Sequence, residues 1–201
     1  MGLLRLSSLD AWRQRPGCVL RPAMLAVLVC VTYSAMTAAQ SGAPTEYQVK
    51  AAFLVNFAKF VEWPDTSFAD ARAPMVLGIV GDDPFGTDLS QMVIRQSIKS
   101  RTISIRKYRF GDDLRSCHVL YVSASEQTRT AQVLGGLQGA SVLTVSDIPG
   151  FVGGGGVVQF YMEEDRVRFV VNVDAAARAN LRVSAKLLAV AHAINDVRGV
   201  R

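Results

Sequence analysis

Three short runs constrain this chain more than anything else in it: MVLGIVG (75–81), CHVLYVS (117–123) and SVLTVSD (141–147). Their apolar residues are consecutive rather than alternate, and each run stops at a small or polar residue. A strand that is apolar on both faces must be covered on both faces, which is the condition of a strand inside a parallel sheet. Between these runs lie the helical patterns FGTDLSQMVI and SEQTRTAQVLGGL, the second amphipathic and stopped by glycines, and the alternating strand RTISIRKYRF. Strands and helices in alternation predict an α/β sandwich with a mostly parallel sheet flanked by helices.

The last third reads differently. GVVQFYMEEDRVRFVVNV holds two strand-like runs around the polar turn Glu163–Glu164–Asp165, which predicts an antiparallel hairpin. From Asp174, as a cap, one long helix is expected, with Leu181, Leu188, Ala191 and Asn195 on one line and Leu187, Val190 and Ile194 beside it. His192 falls within it.

At the other end, VKAAFLVNFAKFVEWP predicts a helix. Thr45 and Gln48 form a capping-box pattern at its start, and Pro64 sets its end near Glu62. Val49, Ala52, Phe53, Phe57 and Phe60 make a helical stripe, but Ala51, Leu54, Val55, Ala58 and Val61 fill most of the remaining circumference. Such a helix is expected to be buried on more than one side. Asn56 then needs a hydrogen-bond partner, because an unpaired buried amide costs on the order of 1–3 kcal/mol. A backbone group of the following loop would supply one and make Asn56 a structural clamp.

Ahead of that helix, Arg5, Arg13, Arg15 and Arg21 precede the apolar run AMLAVLVCV and a small-residue stretch ending TAAQ. This is the layout of a secretory signal peptide, with cleavage expected near Ala39; a retained membrane anchor is the alternative. The expected organisation is a leader over 1–39, a linker over 40–45 and one α/β domain over 46–201. Loss of four arginines and one aspartate with the leader lowers the formal charge from +5 to +2. A nearly neutral domain without aromatic-basic interleaving gives no footprint for nucleic acid. Of the three cysteines, Cys18 and Cys30 lie in the leader, so Cys117 has no internal disulfide mate in the mature chain. It is either a buried inert thiol or a site for an intermolecular bridge.

Chemistry is sparse. Asp82 and Asp83 lie just beyond a parallel strand, where Mg²⁺ could sit as in phosphorelay receivers, but LYVSAS lacks a phospho-accepting aspartate and no lysine follows TVSDIPG. The alternative is that one aspartate caps a turn and the other faces water. Gly153–Gly156 lead into a strand rather than a helix and lack a Lys-Ser or Lys-Thr, which argues for a flexible turn able to open over a ligand or partner, not a phosphate cradle. Cys117 and His118 are neighbours on a strand and so point apart. Without a nucleophile–base pair or metal-ligand spacing, no enzyme or cofactor is expected. Lys59, Trp63 and Phe151 are the residues expected to meet an outside partner.

Several blocks, in order, carry a family resemblance: KAAFLVNFAKFVEWP, GIVGDDPFG, CHVLYVS, VLTVSDIPGFVGGGGVVQF, VRFVVNVDAA and LRVSAKLLAVA. Together they resemble the YfiR-like family of periplasmic proteins across nearly the whole mature chain. The resemblance implies a regulator. The family's namesake represses an inner-membrane diguanylate cyclase by binding its periplasmic sensor region, and an outer-membrane lipoprotein draws the repressor away. Related domains serve as inputs to sensor kinases, so a small-molecule sensor is the alternative. A homodimer is also implied. The motif positions carried over are Asn56, Phe57, Lys59, Phe60, Trp63 and Pro64; Asp82, Asp83, Pro84 and Phe85; and Asp147, Phe151, Gly154 and Gly155. Some relatives have paired, redox-tuning cysteines, which Cys117 alone cannot reproduce.

Overall fold

The computed structural model describes residues 44–94 and 96–194. The expected leader, and Asn195 of the expected last helix, lie outside the described residues.

The first helix, α1 (Glu46–Phe60), starts as the capping box requires: the Thr45 side chain accepts from the Gln48 N–H, and the Gln48 side chain accepts from the Thr45 N–H. It is followed by β1 (Val61–Glu62), β2 (Met75–Val80), α2 (Thr87–Val93), β3 (Ser97–Ile98), β4 (Arg101–Tyr108) and β5 (Val119–Val122). A 3₁₀ segment, Ala124–Arg129, runs into α3 (Thr130–Gly136). Then come β6 (Leu143–Ser146), β7 (Val158–Glu163), β8 (Arg166–Asn172), α4 (Val173–Arg178), β9 (Arg182–Val183), α5 (Ala185–Val190) and β10 (His192–Ile194).

Among the described residues, eight strands form one sheet in the order β10-β8-β7-β6-β5-β2-β4-β3. The pairings from β4 through β7 are all parallel, and β7–β8 is the expected hairpin, closed by Glu164 and Asp165 at φ 48° and 58°. Positive φ at both central residues is the turn geometry that matches the twist of a two-residue hairpin. Winding starts at β2, goes out to β4, then returns past β2 to β5, β6 and β7. The winding reverses between β2 and β5, and the loops leaving their C-terminal ends meet there, the Asp82 N–H donating to Ser125 Oγ at 2.9 Å.

The three apolar runs are β2, β5 and β6, and every one of their residues is buried. Two cores explain this. The larger collects Leu77, Ile79, Tyr121 and Val145 from one sheet face against Leu54, Phe57 and Ala58 of α1, with Leu89 of α2, Ala176 of α4 and Leu187 of α5. The smaller packs Val80, Leu120 and Val122 from the other face against Val133, Leu137 and Phe151. Phe53 and Phe57 meet Phe160 and Phe169 at centroid distances of 5.0–6.0 Å. Aromatic pairs of this kind add about 0.5–1.5 kcal/mol each beyond area burial.

Four sequence expectations are corrected. The first helix ends at Phe60, not near Glu62, because Val61 and Glu62 pair antiparallel with Val183 and Arg182. The long last helix is two short ones. Asn180, at φ 55°, turns the chain out of the helix, β9 then pairs with β1, and Ser184 caps α5. The cap of α4 is Asn172, whose side chain accepts from the Ala175 N–H, rather than Asp174. His192 opens β10, not a helical turn.

Candidate functional site

The sequence-selected residues fall into three groups. The first surrounds the N-terminal half of α1. The Lys50 ammonium, 3% exposed, lies 2.6 Å from Asp147 Oδ2, just past β6, and 2.5 Å from the more exposed Glu46. Tyr47 Oη donates to the same Asp147 oxygen at 3.3 Å, and Phe85 meets Tyr47 and Tyr121 edge-on at 5.7 and 4.8 Å. Burial pulls the Lys50 ammonium towards neutrality, but the hydrogen bonds and charges of Asp147 and Glu46 outweigh it and hold its pKa above 10.5. Burial and the Asp147 charge push the Tyr121 phenol far up; its hydroxyl, like Asp147 Oδ1, is buried without a hydrogen-bond partner among the described residues. Asp147 and Phe85 therefore fasten α1 to the ends of β2, β5 and β6.

Sequence reasoning picked out Phe85 and Asp147 but missed Tyr47, Lys50 and Tyr121. A signal was available: Lys50 stands among consecutive apolar residues, and such a lysine requires a buried acid.

Asp82 and Asp83 divide as the cap-and-solvent alternative has it. Asp83 Oδ1 accepts from the Phe85 N–H, and its other oxygen pairs with Lys107 at 2.7 Å. Asp82 is exposed, its own N–H donating to Ser125 Oγ. Among the described residues, no group of three or more His, Cys, Asp or Glu could hold a metal.

The second group is on the surface. Asn56, Lys59 and Phe60 are exposed at helical spacing i, i+3, i+4, one line along α1. This corrects the reading of Asn56 as a buried clamp. The half-buried Val49, Ala52 and Phe53 leave the water-facing strip to residues 56, 59 and 60. Lys59 makes no ion pair among the described residues. Trp63 is half-buried; its indole N–H donates to the His118 carbonyl at 3.2 Å, and its ring walls a cleft of about 590 Å³ with Pro64, Asn180 and Arg182.

His118 itself is fixed. Its Nδ1 accepts from the Val76 N–H, so Nε2 carries the proton and donates to the Ser67 carbonyl, while the ring stacks on Phe68 at 4.3 Å. Burial lowers its pKa, the Ser67 bond offsets part of that, and Arg101 adds to it. Cys117 packs into the smaller core beside Tyr108, and burial raises the pKa of its thiol. The two side chains belong to different environments and do not form a nucleophile–base pair.

The third group is the loop after β6. Phe151 is 1% exposed, which corrects its reading as a recognition residue: it is a pillar of the smaller core. Gly156 lies under its ring, and a Cβ there would sit 2.2 Å from two ring carbons. Gly154 and Gly155 are exposed, and Gly155, at φ 100°, lines a cleft towards α3 and α4.

The family model described as YfiR/HmsC-like matches residues 47–192, from Tyr47 in α1 to the first residue of β10. No curated protein matches the chain.

Proposed function

The chain belongs to the YfiR/HmsC-like family, and from that premise we propose that it represses an inner-membrane diguanylate cyclase by binding the enzyme's periplasmic sensor region, lowering cyclic di-GMP and biofilm formation. The family supports a periplasmic regulator of the diguanylate cyclase system in general. Residues 1–39 would export the chain.

The observation that carries the binding reading is the strip Asn56, Lys59 and Phe60. Phe60 is 37% exposed and stands beside Lys59 and Asn56, whose side chains make no ion pair or hydrogen bond among the described residues, on a helix that Asp147 anchors at its other end. An aromatic residue on a rigid element, ringed by polar groups, is the pattern of an interface anchor. Release follows by mass action: a competitor such as an outer-membrane lipoprotein that prefers the same repressor surface withdraws it from the cyclase. A homodimer is the proposed resting form. The role is non-catalytic, in keeping with a His118 whose ring is held by Val76, Ser67 and Phe68 and a Cys117 buried in the smaller core.

The test is cellular cyclic di-GMP in a deletion strain. Deletion raises the nucleotide, the full chain restores it, and neither a form lacking residues 1–39 nor the surface variant Phe60→Asp does so. An unchanged nucleotide level on deletion refutes the cyclase link. Full rescue by Phe60→Asp removes the α1 strip from the interface.

A further inference from the structure

The cleft below the glycine loop is a cavity that the repressor reading does not use. It encloses about 500 Å³, within the usual size range of small-molecule sites. Leu134 and Leu137 from α3, Val142 before β6, Val157 before β7 and Ala175 of α4 give it apolar walls. Three polar side chains break them: Gln138, Arg178 and Thr144. Arg178, exposed on α4, makes no ion pair or hydrogen bond among the described residues. Thr144, 4% exposed, accepts the Val157 N–H at 3.0 Å through Oγ1, and its own proton has no acceptor among the described residues.

The loop is not a phosphate cradle. The Gly154, Gly155 and Gly156 N–H groups are spent on the carbonyls of Gly150, Val152 and Phe151. That leaves one guanidinium, one hydroxyl and the uncharged Gln138 amide for an occupant, with apolar side chains between them. A single cation suits a single negative charge, and a planar fork of donors suits a carboxylate.

We propose that this cleft binds a small monocarboxylate with an apolar body, held by Arg178 as its charge partner and Thr144 as a second donor. The site also has a route to the surface: α4 walls this cleft with Ala175, Arg178 and Ala179, while the residues that follow it, Asn180, Leu181 and Arg182, wall the Trp63 cleft. An occupant that prefers one placement of α4 biases both. The proposal stands whether or not the partner is a cyclase.

Titration calorimetry and amide-shift mapping on the purified chain decide it, with octanoate as the probe and 1-octanol as its uncharged match. Octanoate is expected to bind, with amide shifts at Gly139, Gly155 and Val157, and octanol to bind at least about tenfold more weakly. Arg178→Gln, at an exposed position with no ion pair or hydrogen bond among the described residues, should cost octanoate about the same factor. Ala179→Leu, which fills the cleft, should weaken it independently. No binding at about 10 mM octanoate overturns the proposal, as do equal affinity for octanol, undiminished binding to Arg178→Gln, or shifts confined to other surfaces.

Discussion

Replacing Asp147 by alanine should destabilise the fold through a residue nearly a hundred positions away. Lys50 is 3% exposed and Asp147 is 14% exposed, 2.6 Å apart, so both charges have left water and each relies on the other. Removing one partner of a buried pair costs about 3–5 kcal/mol because the remaining charge is left uncompensated. Glu46 still reaches Lys50, but its carboxylate is two-fifths exposed and screened, so the expected loss lies near the low end, about 3 kcal/mol. At an m-value of about 2 kcal/mol per molar urea, the midpoint falls by about 1.5 M. Lys50→Met should cost somewhat less, since Asp147 keeps the Tyr47 hydrogen bond. The double variant Lys50→Met/Asp147→Leu should recover to within about 1 kcal/mol of the wild type, because well-packed apolar groups need no desolvation. The Lys50 pKa is raised above its ordinary 10.5, so the stability contributed by that shift is fully present below about pH 10.5 and is lost as the pH rises through the higher folded value. Urea titrations of the wild type, Lys50→Met, the single variant Asp147→Leu and the double variant give the cycle. Additive losses in the double variant, or a loss under about 1 kcal/mol for Asp147→Ala, would refute the view of this pair as the anchor of α1.

Two further outcomes follow from buried groups. The pKa of His118 is depressed from 6.5, so the unfolded chain binds its proton first and stability should fall as the pH drops below about 6.5; in His118→Asn that part of the slope disappears, and an identical slope would show that His118 is not its source. Gly156→Ala should cost about 1–3 kcal/mol, because Phe151 cannot keep its place beside a new Cβ. A thermal melt should fall by several degrees, and an unchanged melting temperature would show that the loop yields freely.

Much of the fold was legible because its signals are local. Consecutive apolar residues bounded by Gly, Ser or Asp marked β2, β5 and β6, and Thr45 with Gln48 marked the start of α1 to the residue. The Glu164–Asp165 turn was equally readable, since polar residues that tolerate positive φ sat between two apolar runs. The candidate site was only partly legible. Asp147 and Phe85 were selected as motif residues, but their role as anchors for α1 depends on Lys50 and Tyr47 arriving from 97 and 100 residues away.

Sequence by itself determined the strands β2, β4, β5, β6, β7 and β8, that the sheet is mostly parallel, and where the hairpin turns. These follow from hydrophobic period and turn chemistry within a few residues. Tertiary structure alone decided that Val61 and Glu62 leave the helix to pair with β9, that Asn180 breaks what reads as one long helix, and that Asn56 faces water while Phe151 is buried. In each of these places local propensity was nearly neutral or misleading. The choice fell to contacts between distant segments, whose burial and hydrogen bonds outweigh the few tenths of a kcal/mol that separate helix from extended chain at a single residue.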